Sequence, residues 1–169
     1  CSHSIRLYKD REMTMKAIDI LDRDKDGYFL LVEGGRIDHA HHGTEAKQAT
    51  GEVTEFSRAI QNTLDRVNLN DTLIVVTADH GHVMTISGYA ERGHNIFGIA
   101  GEGTDGLPYM TISYANGRSF PKHVKDGKRI DPTILSQYID NINTHEFPVT
   151  VARKDETHGG EDVGIWSIG

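Results

Sequence analysis

The sequence predicts an α/β fold built on a largely parallel sheet, and three observations carry the prediction. Two short, unbroken apolar runs, Tyr28–Val32 and Thr72–Thr77, read as strands buried on both faces. Between them, apolar residues recur every three or four positions from Thr44 to Val67, the pattern of one long amphipathic helix. Strand, helix and strand in that order make a βαβ unit, with parallel strands joined by a right-handed crossover.

Taken in order, the first element is a helix over Glu12–Leu21, with Met13, Ala17, Ile20 and Leu21 on one face, ending at the polar stretch Asp22–Gly27. Tyr28–Val32 follows as a strand and stops at Glu33-Gly34-Gly35. The long helix carries Ala46, Ala49, Val53, Phe56, Ile60, Leu64 and Val67 on its apolar face and ends in the polar turn Asn68–Asp71. The second strand, Thr72–Thr77, runs into Ala78-Asp79-His80-Gly81-His82. From Gly88 to about Lys128 the pattern is Gly-rich and weakly periodic, with one strand at Tyr109–Tyr114, and reads as an excursion from the sheet. A helix over Asp131–Asn143, centred on Ile134, Leu135 and Tyr138, and strands at Val149–Ala152 and Val163–Ser167 complete the reading.

Composition narrows the function classes. A chain of 169 residues can bury one ordinary core, and 37% hydrophobic with 25% charged residues is too apolar for a disordered tail. The 25 acidic residues outnumber 18 basic ones, and no Lys/Arg cluster offers the charge that phosphate neutralisation needs, so a nucleic-acid partner is not expected. No unbroken apolar stretch approaches membrane-spanning length. The lone cysteine, Cys1, cannot form an internal disulfide. Because the chain opens on Cys without a signal-peptide pattern, the expectation is a piece of a longer protein.

The unusual number is ten histidines, of which His39, His41, His42, His80 and His82 fall in two short windows beside acidic residues. Glu33, Asp38, His39, His41 and His42 follow the first predicted strand; Asp79, His80 and His82 follow the second. Both clusters are thus expected at the carboxyl ends of neighbouring strands, the edge where ligands bind in open α/β sheets. Carboxylate oxygens with neutral imidazole nitrogens are the donor set of catalytic Zn²⁺, and four residues from Asp38 to His42 is one helical turn. Two acid–imidazole groups at one sheet edge are costly to bring together without a cation. His158, flanked by Gly159 and Gly160, is a further candidate. His41 and His82 can equally orient a ligand, and His3, His94, His123 and His145 read as surface hydrogen-bonding residues.

A calcium loop competes for part of this stretch. Asp22, Asp24, Asp26, Gly27 and Glu33 match EF-hand spacing, Glu33 at the twelfth position. An EF-hand needs its exiting helix to start before that residue, whereas Tyr28–Val32 is strand-like and Gly34-Gly35 disfavours a helix by about 1 kcal/mol per residue, so Asp22–Gly27 reads as a helix-to-strand turn.

Val32-Glu33-Gly34-Gly35-Arg36-Ile37-Asp38-His39-Ala40-His41-His42 resembles the metal-binding signature of alkaline phosphatases, the animal enzymes in particular. Thr77-Ala78-Asp79-His80-Gly81-His82 and Glu156-Thr157-His158-Gly159-Gly160-Glu161-Asp162 are similar to that family's second and third metal segments, in the same order. The resemblance covers nearly the whole chain from Glu12; the Thr-x-Asp-His-Gly element is its least specific part, since related phosphodiesterases and phosphomutases carry something close to it. It implies a three-layer sandwich on a largely parallel sheet and a crown-like surface insertion over about 88–128. It also implies phosphomonoester hydrolysis with two zinc ions and one magnesium ion: Asp38, His42 and His158 at the first zinc, Asp79 and His80 at the second, Glu33 at the magnesium. His39 and His82 are implied to line the site.

In the family a serine in an Asp-Ser-Ala context attacks phosphorus and gives a phosphoserine intermediate. This chain contains no Asp-Ser-Ala, so the expectation is the C-terminal portion of one catalytic domain, inactive alone. The resemblance further implies a homodimer and lipid-anchored attachment to the extracellular face of the plasma membrane. A phosphodiesterase of the same superfamily and the calcium-binding loop at 22–33 are the alternatives. Asn70-Asp71-Thr72 is an N-glycosylation sequon.

Overall fold

A computed structural model describes residues 9–136 and 145–169. The elements are α1 (Lys9–Leu21), α2 (Arg36–His42), α3 (Ala46–Arg66), β1 (Ile74–Thr77), β2 (Met84–Ile86), β3 (Ile99–Glu102), β4 (Pro108–Met110), β5 (Ile112–Gly117), α4 (Phe120–His123), β6 (Val124–Lys125), β7 (Lys128–Arg129), α5 (Pro132–Ser136), β8 (Val149–Ala152) and β9 (Ile165–Ile168). They fall into two units. The first takes residues up to Ile37, Thr50–Asp79 and Val163–Gly169; the second takes Asp38–Ala49 and His80–Asp162.

In the first unit β1 pairs with β9, antiparallel, from Ile74 opposite Ile168 to Thr77 opposite Ile165. The expected parallel βαβ unit does not form. Tyr28–Val32 belongs to no strand, and Phe29 and Leu31 are open to solvent, at 86% and 76% exposure. An apolar run signals a buried strand only when a neighbouring strand takes up its backbone hydrogen bonds, and among the described residues none pairs with it. β1 likewise alternates between half-buried and exposed residues and is not covered on both faces.

Both long helices are turned relative to their apolar stripes. In α1 the buried residues are Thr14 and Ile18, while the expected inward residues Met13 and Ile20 are exposed. Along α3 the buried line is Ala46, Ala49, Glu52, Glu55 and Ala59, and Val53 is 48% exposed. The Ile60–Leu64 side of α3, with Ile74, Val76, Trp166 and Ile168, lines an open apolar groove of about 230 Å³. At its end Arg66 reaches Asp19 and Asp22, each at 3.4 Å.

The second unit is built on a three-stranded sheet with β5 in the middle, antiparallel to β2 and parallel to β8. The β5–β8 pair is the parallel ladder among the described residues; the other four ladders are antiparallel. The α/β class is thus observed, with mixed rather than largely parallel sheets among the described residues. The core of the second unit is Ala46, Met110, Ile112, Tyr114, Phe147 and Val149, with Met84, Phe97, Ile99 and Phe120 packed against them. The stretch 88–128, expected to leave the sheet of β1, lies in this unit and supplies its middle strand. The strand expected at Tyr109–Tyr114 is divided at Thr111 into β4 and β5. β6 and β7 form a hairpin through Asp126-Gly127, both at positive φ (50° and 73°), as a tight primed turn requires. The expected helix at 131–143 is seen as α5; its remainder from 137 lies outside the described residues.

Two backbone positions set the approach to the site. Gly117, at the end of β5, has φ +150°, and a Cβ there would meet Thr44 Cγ2 at 2.6 Å and Val149 Cγ1 at 3.2 Å. Thr44, fully buried, holds φ +57° in the turn between α2 and α3, and its carbonyl accepts the Phe147 N–H at 2.8 Å. Among the described residues no helix is long and apolar enough to cross a membrane.

Candidate metal centre

Three short segments of the second unit converge. Asp38 and His42, one turn apart on α2, lie on the same helix face, 3.3 Å apart from Oδ1 to Nε2. His41 turns inward and is buried, while His39 is exposed. The loops carrying His82 and His158 meet as an isolated antiparallel bridge, with Gly159 N–H donating to Gly81 O at 2.8 Å. A Cβ at Gly81 or Gly159 would meet the carboxylate end of the exposed Glu161 side chain, which would have to swing aside.

Asp38 is the hub. Its Oδ1 lies 3.3 Å from His42 Nε2, 3.2 Å from His158 Nε2, 3.1 Å from His82 Nε2 and 3.9 Å from His80 Nε2. His42 Nε2 and His158 Nε2 are themselves 3.2 Å apart. Three donor atoms separated pairwise by 3.2–3.3 Å are spaced as corners of a tetrahedron whose centre lies about 2.0 Å from each, the zinc–nitrogen and zinc–carboxylate distance.

The protonation pattern is set from behind. His42 Nδ1 donates to the Glu156 carbonyl at 2.6 Å and His80 Nδ1 to the Gly81 carbonyl at 3.1 Å. A carbonyl can only accept, so each ring keeps its proton on Nδ1 and turns the lone pair of Nε2 inward. Lone pairs and a carboxylate converging in this way repel one another unless a cation lies among them. Asp38 Oδ1 and His82 Nε2 are both buried without a hydrogen-bond partner. Asp38, His80, His82 and His158 form one group able to hold a metal; His42, His82 and Glu156 form a second. The donor set therefore fits a zinc-like ion. Among the described residues these are the groups able to do so, and neither includes Asp22, Asp24, Asp26 or Glu33.

Electrostatics agree with the geometry. Burial opposes ionisation of Asp38, but the positive charge that His42, His82, His158 and His80 carry when protonated outweighs it and holds the carboxyl below its usual range. His41 is pushed down to about 4, first by burial and then by His82. It is neutral near pH 7, with Nδ1 2.9 Å from the Tyr114 hydroxyl and its ring stacked 4.6 Å from His82. Burial, followed by the charge of Glu156, raises the Tyr114 phenol. His41 thus backs the site and offers no atom to its centre.

Of the residues expected from sequence, Asp38, His42, His80, His82 and His158 come together. Glu33 and Asp79 belong to the first unit. Two of the histidines expected at the surface do not lie there: His123 is buried against the Glu146 carbonyl (2.9 Å), and His145 is half-buried against Phe147. Glu156 and Tyr114 were not anticipated. The available signal for Glu156 was its place two residues before His158 in the third histidine-bearing segment.

Comparison with known proteins agrees with the motifs. The alkaline phosphatase family model matches residues 9–169. Over 94% of its length the chain is 44% identical to the human tissue-nonspecific alkaline phosphatase isozyme and 43% identical to alkaline phosphatase 4 of Drosophila melanogaster. It is 39% identical to a membrane-bound alkaline phosphatase of Bombyx mori, again over 94%. It spans 30%, 29% and 28% of those three proteins. On the match of motif, donor geometry and nearly the whole sequence, this chain belongs to the alkaline phosphatase family.

Proposed function

We propose that the protein carrying this chain hydrolyses phosphomonoesters with two zinc ions and one magnesium ion. The observation that carries the reading is the triad Asp38 Oδ1, His42 Nε2 and His158 Nε2, spaced at 3.2–3.3 Å. These three would hold the first zinc, Asp79 and His80 the second, and Glu33 the magnesium; His39 and His82 would line the site. When bound, such a pair of cations stabilises charge on the attacking and leaving oxygens of an in-line displacement at phosphorus. The chain's own residues prepare for this. Asp38 supplies the negative charge, and the carbonyls of Glu156 and Gly81 keep protons off the inward nitrogens of His42 and His80.

A serine nucleophile, giving a phosphoserine intermediate, would come from residues outside these 169. In the complete protein we place the chain within a three-layer sandwich, with 88–128 as a crown-like surface insertion at a homodimer interface. Membrane attachment on the extracellular face is the localisation that fits a family with a membrane-bound member. The test is hydrolysis of p-nitrophenyl phosphate. The intact protein should turn over with zinc and magnesium and stop when a chelator removes them; the 169-residue chain, loaded with both metals, should not turn over. Turnover by that chain alone would falsify the division of labour.

A further inference from the structure

We propose that Glu156 is a positioning residue for this centre, acting through His82; the proposal rests on reading the site as a metal centre. Its side chain is fully buried. Oε1 accepts the Val83 N–H at 2.8 Å and Oε2 accepts Nδ1–H of His82 at 2.7 Å. Its main chain holds a second histidine from both sides: the carbonyl accepts His42 Nδ1–H at 2.6 Å, and the N–H donates to the His42 carbonyl at 3.1 Å. The following residue is pinned as well, since Thr157 N–H donates to Asn116 Oδ1 at 3.0 Å and Asn116 Nδ2 donates to Thr157 Oγ1 at 2.9 Å. Glu156 therefore fixes the loop of His82, the end of α2 and the start of the His158 segment relative to one another.

The carboxylate does something the main chain cannot. Because it accepts from Nδ1, it holds the His82 proton there and leaves the Nε2 lone pair facing Asp38 Oδ1, 3.1 Å away. Both atoms are buried without a hydrogen-bond partner. His41, stacked at 4.6 Å, closes the ring's face and prevents it from turning. Glu156 also stands within reach of His42 and His82 as a group that could bind a metal directly. However, both of its oxygens already accept hydrogen bonds, and Nδ1 is the edge of the His82 ring opposite Asp38. Substitution by Gln keeps the volume and the Val83 contact. It also turns an amide donor toward Nδ1, which forces the His82 proton to Nε2, against Asp38.

The experiment measures zinc affinity by chelator competition in the intact protein, for the parent, Glu156→Gln, His82→Ala and the double variant, together with melting of each metal-free form. Glu156→Gln should bind zinc about 10–100-fold more weakly, at unchanged stoichiometry and with unchanged metal-free melting. In the His82→Ala background the same change should cost less than about twofold. Parent-like affinity in Glu156→Gln, an equal loss in both backgrounds, or one zinc fewer per chain would each overturn the proposal. A parent that binds no zinc removes the metal-centre reading itself, a failure visible before any substitution. Should Glu156→Gln not fold without metal, Glu156→Asp, which keeps the charge but withdraws it by one methylene, is read by the same criteria.

Discussion

His42, Asp38 and His158 show what residue types reveal and what they leave out. An Asp and a His four apart on a helix, with a third donor between glycines, were legible because ligand chemistry restricts the donors to a few residue types. Glu156 was not, because nothing in a glutamate's identity says that it is buried. Asp38 is the carboxylate among four inward imidazoles, so Asp38→Asn should weaken zinc binding by at least about a hundredfold and abolish phosphatase activity of the intact protein. Asp24→Ala, at an exposed turn, should change stability by less than about 0.5 kcal/mol and leave zinc binding intact. Equilibrium dialysis of both variants checks the pair. His145 gives a pH prediction independent of the metal. Burial, then the neighbouring His123 and Lys122, push it down to about 4, and burial lowers His123 as well. Between about 6.5 and 4 the unfolded chain binds more protons than the folded one. Stability should therefore be complete above pH 6.5 and fall as the solution is acidified toward 4. Urea midpoints across that range test this, and His145→Phe should flatten the dependence.

At the scale of elements, periodicity located α1, α3, β1, β8 and β9 well but misjudged what covers them. The spacing of Met13, Val53 and Tyr28–Val32 declares which residues are apolar; it does not say which neighbours exist to bury them, and in α1 and α3 the covered faces are Thr14–Ile18 and Ala49–Ala59. The division of Tyr109–Tyr114 at Thr111 was hidden for a related reason: β4 and β5 adjoin in sequence but pair with different strands, β3 in one case and β2 with β8 in the other. Gly117 is where element geometry meets the site. Its φ of +150° disfavours any side chain, and a Cβ would press on Thr44 Cγ2 and approach Glu156 Cβ at 3.4 Å. Gly117→Ala should cost about 1–3 kcal/mol of stability from the backbone alone. It should also displace Glu156 enough to weaken zinc binding. A parallel fall in urea midpoint and zinc affinity supports the account; a variant as stable as the parent contradicts it.

For the whole molecule, the governing fact is that the chain spans less than a third of the relatives compared above, 28–30% of their length. The first unit exposes large apolar side chains on and beside both of its strands and along Tyr28–Val32: Phe29, Leu31, Leu73, Val75, Ile165, Ile168 and Trp166, the last at 66%. Soluble chains rarely leave so many uncovered in one unit, and a two-stranded ladder is marginal without further strands or a covering layer. Among the described residues no strand pairs with Tyr28–Val32, so its apolar run adds to this exposed surface. A purified 169-residue chain should therefore bind a hydrophobic dye and self-associate with rising concentration in sedimentation, despite a net charge of −7. Trp166 reports directly, as the chain's one tryptophan: under dilute conditions its emission should be water-like and readily quenched by acrylamide, then blue-shift and become protected as association proceeds. A tryptophan already shielded in the dilute monomer would mean that this apolar surface is covered by the chain itself.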